Sequence, residues 1–224
     1  GWLGKENVAP RVILTEGGSM TDIYVYNQLT KDNNGNIKVD QNGNLGITSS
    51  NTPVKVGNLD ADFNLGWTNH FTYKGIDLGV VLSARVGGLA YSATQGILDY
   101  YGVSGTSATA RDNGGIPINN GKVNAQKYYQ TIGTGEGGYG RYYLYSATNV
   151  RLQELSLNYT LPKRWFKNVA NVTLGIVGRN LWMLYCKAPF DPESTASTGT
   201  YNQGMDYFMQ PSLRSMGFSA KISF

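Results

Sequence analysis

Several residue types are scarce. Among 224 residues there is one cysteine, one histidine and seven prolines, and only 15% of the chain is Asp, Glu, Lys or Arg, against roughly 25% in soluble domains. A lone Cys186 excludes an intramolecular disulfide. With His70 as the only histidine, a structural zinc centre lacks ligands. The net charge of +4 is scattered, its densest cluster being Lys163-Arg164-Trp165-Phe166-Lys167. With no basic stripe and no recognisable module, no nucleic-acid partner is expected. Long apolar runs are missing too: Gly79-Val80-Val81-Leu82 falls far short of the ~20 residues a spanning helix needs. Gly1 to Lys5 has neither an initiating Met nor an apolar signal core, so the sequence reads as cut from something longer.

Glycine (29 residues), Asn, Ser, Thr and 16 tyrosines fill the space that charge leaves. That composition suits an all-β protein with many turns. The dominant pattern is alternation with period two. Over Asp62–Tyr73, one face carries Phe63, Leu65, Trp67, Phe71 and Tyr73, and the other Asn64, Gly66, Thr68, His70 and Thr72. Lys74-Gly75 is a two-residue turn. Ile76–Val86 then alternates again, with Ile76, Leu78, Val80, Leu82 and Ala84 on one side. Further strands are expected over Asn149–Leu161, Asn171–Asn180 and Leu213–Phe224, and a weaker one over Met20–Leu29. The connections are unequal. Those at Lys74-Gly75 and Pro162–Ala170 are short, whereas Lys31–Ala61, 87–148 and 181–212 are long, and alternating strand directions place the long ones at one end of the sheet.

Two architectures produce such alternation. A soluble β-sandwich, such as an adhesin or lectin binding module, buries its apolar faces between sheets. A transmembrane β-barrel turns them toward lipid. Strands of about ten residues, loops long on one side only and apolar faces free of charge favour the barrel. Detergent dependence separates the two.

Specific segments then carry a resemblance. Asn149-Val150-Arg151-Leu152-Gln153-Glu154-Leu155-Ser156-Leu157-Asn158-Tyr159-Thr160-Leu161-Pro162, Gly178-Arg179-Asn180-Leu181-Trp182, Phe190-Asp191-Pro192-Glu193, Gln210-Pro211 and Gly217–Phe224 resemble, in order, the late barrel strands of SusC-like (SusC/RagA) TonB-dependent outer-membrane transporters. Val56–Phe63, Phe71–Leu78 and Gly87-Gly88 extend the resemblance upstream. It implies an antiparallel transmembrane barrel segment, residues 1–224 supplying about six C-terminal strands of a 22-stranded barrel whose plug and TonB-contact segment are absent here, with 87–148 and 181–212 as extracellular loops. It further implies the outer membrane of a Gram-negative bacterium, import of a glycan or peptide, and no enzyme chemistry. The implied partners are a SusD-like surface lipoprotein, the rest of the barrel and plug, outer-membrane lipid and, indirectly, TonB. No cofactor, catalytic residue or metal site is expected.

Candidate residues are few. The long loops are rich in tyrosine, a side chain suited to sugar stacking and protein interfaces, and Tyr91, Tyr201 and Tyr207 are the candidates for substrate or partner contact. Phe224, a terminal aromatic on an alternating strand, is the candidate assembly signal. His70 is expected to line the polar face. Asp191 and Glu193 are expected to shape a loop, not to act as a glycosidase pair. Asp32-Asn33-Asn34-Gly35-Asn36 hints at a calcium loop, but Ile37 and Gly43 stand where that motif wants Gly and Glu. A turn is the expectation there.

Overall fold

The computed structural model describes residues 10–133, 138–194 and 204–223. In chain order the strands and helices are β1 (Arg11–Val12), β2 (Asp22–Leu29), β3 (Ile47–Asn58), β4 (Phe63–Tyr73), β5 (Ile76–Val86), β6 (Leu89–Ser92), α1 (Ala93–Tyr100) and α2 (Gly105–Asp112). There follow β7 (Ile116–Ile118), β8 (Gly121–Val123), α3 (Ala125–Ile132), β9 (Leu144–Ser146), β10 (Asn149–Thr160), β11 (Asn171–Cys186), β12 (Met205–Asp206) and β13 (Ser215–Ser223). They divide into two units. One comprises residues 61–87, 147–193 and 210–224, the other 1–60, 88–146 and 194–209.

The first unit is one antiparallel sheet of five strands, in the order β13-β11-β10-β5-β4. Its register carries the alternation of each strand across the whole sheet. Phe71 lies opposite Leu78, Leu78 opposite Leu157, Leu157 opposite Ile176, and Ile176 opposite Phe218. The neighbouring row runs Tyr73, Ile76, Tyr159, Leu174 and Ala220. A one-residue slip in any strand would throw its apolar set onto the other face. The other face carries rows such as Thr72, Asp77, Asn158, Gly175 and Ser219. The apolar face is not buried: Phe71 is 53% exposed and Phe218 89%. A soluble sandwich requires the opposite.

Local chemistry fixes the turns. Lys74 and Gly75 both have positive φ (47° and 86°), the twist a two-residue hairpin needs. A Cβ on Gly75 would lie 2.8 Å from the Thr160 carbonyl, so glycine also lets the turn approach β10. Pro162 ends β10, and a 3₁₀ turn over Lys163–Phe166 leads to β11. On the polar face, a Cβ at Gly175 would collide with Asn158 Oδ1 and stand 2.5 Å from Ser219 Oγ. The gap there lets side chains from two neighbouring strands meet.

β11 runs six residues beyond the expected Asn180, into the segment expected as loop. Leu181-Trp182-Met183-Leu184-Tyr185 is apolar on both faces, so alternation is lost, and the ladder is irregular between Leu152 and Glu154. Asn180, at φ 53°, takes up the irregularity. Between Leu152 and Glu154 the β5 partner advances from Leu82 only to Val81, which makes Gln153 a bulge residue.

The second unit is smaller in its elements. β1-β2-β3 form one antiparallel sheet, β12-β6-β9 another, and β7-β8 a hairpin. The expected Met20–Leu29 strand is β2, but its partner β3 arises inside the expected Lys31–Ala61 connection. Segment 87–148, expected as loop, holds three eight-residue helices, each N-capped by a side chain that accepts from its first turn. Ser92 Oγ accepts from Gln95 N, Ser104 Oγ from Ser107 N, and Asn124 Oδ1 from Gln126 N and Lys127 N. An apolar core that includes Tyr91, Tyr129, Ile132, Tyr143 and Met205 joins them.

Before β3 the chain makes two consecutive turns of the same design. Asp32 accepts from the backbone N–H of Asn34 and Asn36 and from Asn36 Nδ2, and Asp40 accepts likewise from Asn44 N and Nδ2. Foremost the backbone bond from Asn36, and for Asp40 that from Asn44, hold both carboxyls below the usual range. The expected turn is thus present, with its carboxylate engaged in closing it.

Candidate functional site

The sheet brings together a cluster that the sequence did not single out. Arg151, on the polar face of β10, is 2% exposed. Its guanidinium grips the Asp191 carboxylate with both terminal nitrogens, Nη1 to Oδ2 at 3.2 Å and Nη2 to Oδ1. Nε donates to Asn149 Oδ1 at 3.1 Å and lies 3.3 Å from Glu193 Oε2. Asp191 also accepts from Ser212 Oγ (2.5 Å), Ser212 N and Glu193 N. Burial by itself would raise the Asp191 carboxyl; the hydrogen bonds from Arg151, Ser212 and Glu193 outweigh it and hold the group well below the usual carboxylate range.

The arrangement is a clamp. One buried cation joins the end of β11, through Asp191 and Glu193, to the approach of β13, through Ser212. Asn149 Nδ2 donates to the Ala147 carbonyl and extends the network to the start of β10. Both carboxylates of the Asp-Pro-Glu segment are committed to Arg151, so their place is in holding a loop. His70 lies on the polar face with Nδ1 4.0 Å from Asp77 Oδ1, in line with polar lining.

The tyrosine candidates separate. Tyr91 is 3% exposed, packed in the core of the second unit, where β6 pairs with β9 and β12. Burial pushes its phenol upward. Tyr207 is exposed and stacks edge-on against Phe208, with ring centroids 5.3 Å apart. Tyr201 and Phe224 lie outside the described residues. Arg151 was missed because its partners stand 40 and 61 residues away. Its only sequence signal was a charge on the polar side of an otherwise uncharged strand start.

A sheet of long antiparallel strands, with one exposed, charge-free and largely apolar face and one polar face, is a segment of transmembrane β-barrel wall. Comparison with known proteins agrees. Over 201 residues the chain is 26% identical to TonB-dependent receptor P3 of Formosa agariphila, covering 86% of this chain and 19% of that protein. Its fold matches the RagAB peptide importer in the open-open state (TM-score 0.58, 15% identity, 89% of this chain and 22% of that one). It also matches that importer in the closed-closed state (TM-score 0.55, 17% identity, 90% and 22%). No family model matches. The chain spans about a fifth of the length of these relatives. The resemblance to SusC-like TonB-dependent transporters therefore stands in sequence and in fold.

Proposed function

We propose that this chain supplies part of the wall and outer loops of an energised nutrient importer in the outer membrane of a Gram-negative bacterium. The observation that carries this reading is the exposed, charge-free apolar face of the five-stranded sheet, interrupted on β4 by Asn69. In lipid such a sheet must be closed, because an open edge leaves backbone N–H and C=O groups without partners. Among the described residues β4 and β13 each pair on one side only. The remaining strands of the same barrel are the natural partners for those two edges.

The mechanism that the resemblance supplies is capture under a SusD-like lipoprotein lid, then release through a TonB-driven plug. This chain's residues would hold the loops, not perform bond chemistry. Segments 87–148 and 181–212, the latter entered by β11 as far as Cys186, would face the outside, with Tyr207 and Tyr201 contacting lid or substrate and Tyr91 bracing the loop from within its core. Phe224 would serve the assembly machinery. The cargo is a peptide or a glycan.

The test is uptake by cells carrying the intact protein with an affinity tag. Detergent extraction should co-isolate a surface lipoprotein. Growth on peptide or on polysaccharide as the limiting nutrient should fail when the gene is deleted, on one of the two, and an uncoupler should abolish uptake. Recovery of the intact protein in the detergent-free fraction would refute the reading.

A further inference from the structure

The tight-turn end of the sheet has a composition unlike the rest of it. On β4, β5 and β10 the apolar face finishes there in the row that holds Tyr73 and Tyr159, and on β11 and β13 one row further, at Val172 and Ile222. Beyond it stand two turns tied together by a hydrogen bond from Thr160 N to the Gly75 carbonyl. One turn presents Lys74, whose ammonium lies 5.1 Å from the Tyr73 ring centroid. The other presents Lys163, Arg164 and Lys167, all exposed, with Trp165 63% exposed between them. That turn is built. Trp165 N donates to the Pro162 carbonyl, Asn168 N to Lys163, and Val169 N to Phe166, while Lys167 and Asn168 adopt left-handed backbone. Among the described residues none of these four cations is paired with a carboxylate. The nearest acid on the sheet, Asp77, accepts from Thr72 and Asn158.

Four unpaired cations and an exposed tryptophan, set just past a tyrosine-edged apolar band, match one environment. Tryptophan favours the headgroup level of a bilayer, and cations there are drawn to anionic lipid. A solvated loop would gain nothing from exposing Trp165 and Val169 together. We infer that the Lys74 and Lys163–Lys167 turns form a docking surface for anionic phospholipid headgroups. Trp165 enters the interface and the cations pair with phosphates, which anchors this end of the wall at a fixed depth. The inference rests on the membrane-barrel reading and adds a lipid preference to it.

The experiment uses the intact protein in non-ionic detergent, titrated separately with phosphatidylglycerol and phosphatidylcholine, with retained lipids counted by native mass spectrometry. The wild type should retain phosphatidylglycerol in preference. Lys163→Gln, Arg164→Gln and Lys167→Gln should each reduce that preference about fivefold. The charge-keeping pair Lys163→Arg and Lys167→Arg should preserve it. Trp165→Ala should weaken retention of both lipids alike, and millimolar inorganic phosphate should not compete. Unchanged preference in the triple glutamine variant, or displacement by inorganic phosphate, overturns the inference. Heat-modifiable migration of the same preparations tells the two failures apart. A heat-modifiable, detergent-dependent protein without lipid preference refutes only the docking surface, whereas one stable without detergent refutes the barrel as well.

Discussion

Arg151 offers the sharpest test of how the wall holds its loop. Its side chain is 3% exposed and that of Asp191 7%, so both charges are out of water. Removing one partner of a buried pair leaves the other uncompensated and costs about 3–5 kcal/mol, whereas replacing both with apolar groups is often near neutral. Arg151→Met and Asp191→Asn should each cost about that much. Asp191→Asn is the gentler of the two, because Glu193 remains 3.3 Å from the guanidinium. The double variant with Asp191→Leu should be less damaged than Arg151→Met alone. The sign with pH follows from the depressed carboxyl. Asp191 contributes stability fully above its unfolded value, near 3.9, and loses it only as pH falls through the lower folded value. The clamp should therefore hold at pH 5. The assay is thermal unfolding of the intact protein in detergent, with hydrogen exchange over residues 187–194 and 210–214, where the Glu193 and Ser212 amides donate to Asp191. Single variants with wild-type stability and unchanged exchange would show that the cluster is incidental.

The two faces of the sheet should respond oppositely to charge. Ile176→Arg, in the middle of the apolar row, should cost about 2–4 kcal/mol and reduce membrane insertion. Ser219→Arg on the polar face should leave insertion near normal. Gly175→Val should lower the temperature of heat-modifiability by an amount equivalent to about 1–3 kcal/mol, since its Cβ meets Asn158 and Ser219. In the second unit, Asn119→Ala removes two hydrogen bonds to the Ile37 backbone, Ile37 N to Oδ1 at 3.1 Å and Nδ2 to the Ile37 carbonyl at 2.9 Å. A loss of about 1–2 kcal/mol in local stability is expected, read as faster exchange at Ile37.

Much of the wall was legible because its determinants are local. Ile76–Val86 matches β5 residue for residue, and the Asp62, Asn149 and Leu213 strands differ only at their ends. Alternation needs no knowledge of the partner strand, and a two-residue turn announces itself through Gly75. β3 was not legible. Ile47-Thr48-Ser49-Ser50-Asn51-Thr52-Pro53 has no apolar face, Pro53 argues against a strand interior, and its ladder with β2 skips from Val54 to Ser49. Its strand state comes from pairing with β2, whose residues are largely buried. The helices α2 and α3, of eight residues each, were too short for periodicity to show.

The sequence by itself determined the class: charge-free apolar alternation over strands of this length specifies a membrane-facing sheet wherever its partners come from. Only the tertiary structure decided which charged residues matter. Lys163, Arg164 and Lys167 remain exposed, while Arg151, in an equally ordinary polar position, is buried by carboxylates 40 and 42 residues away. The physical reason is that hydrophobic periodicity is written into neighbouring residues, whereas desolvation of a charge depends on which distant segments the chain brings against it.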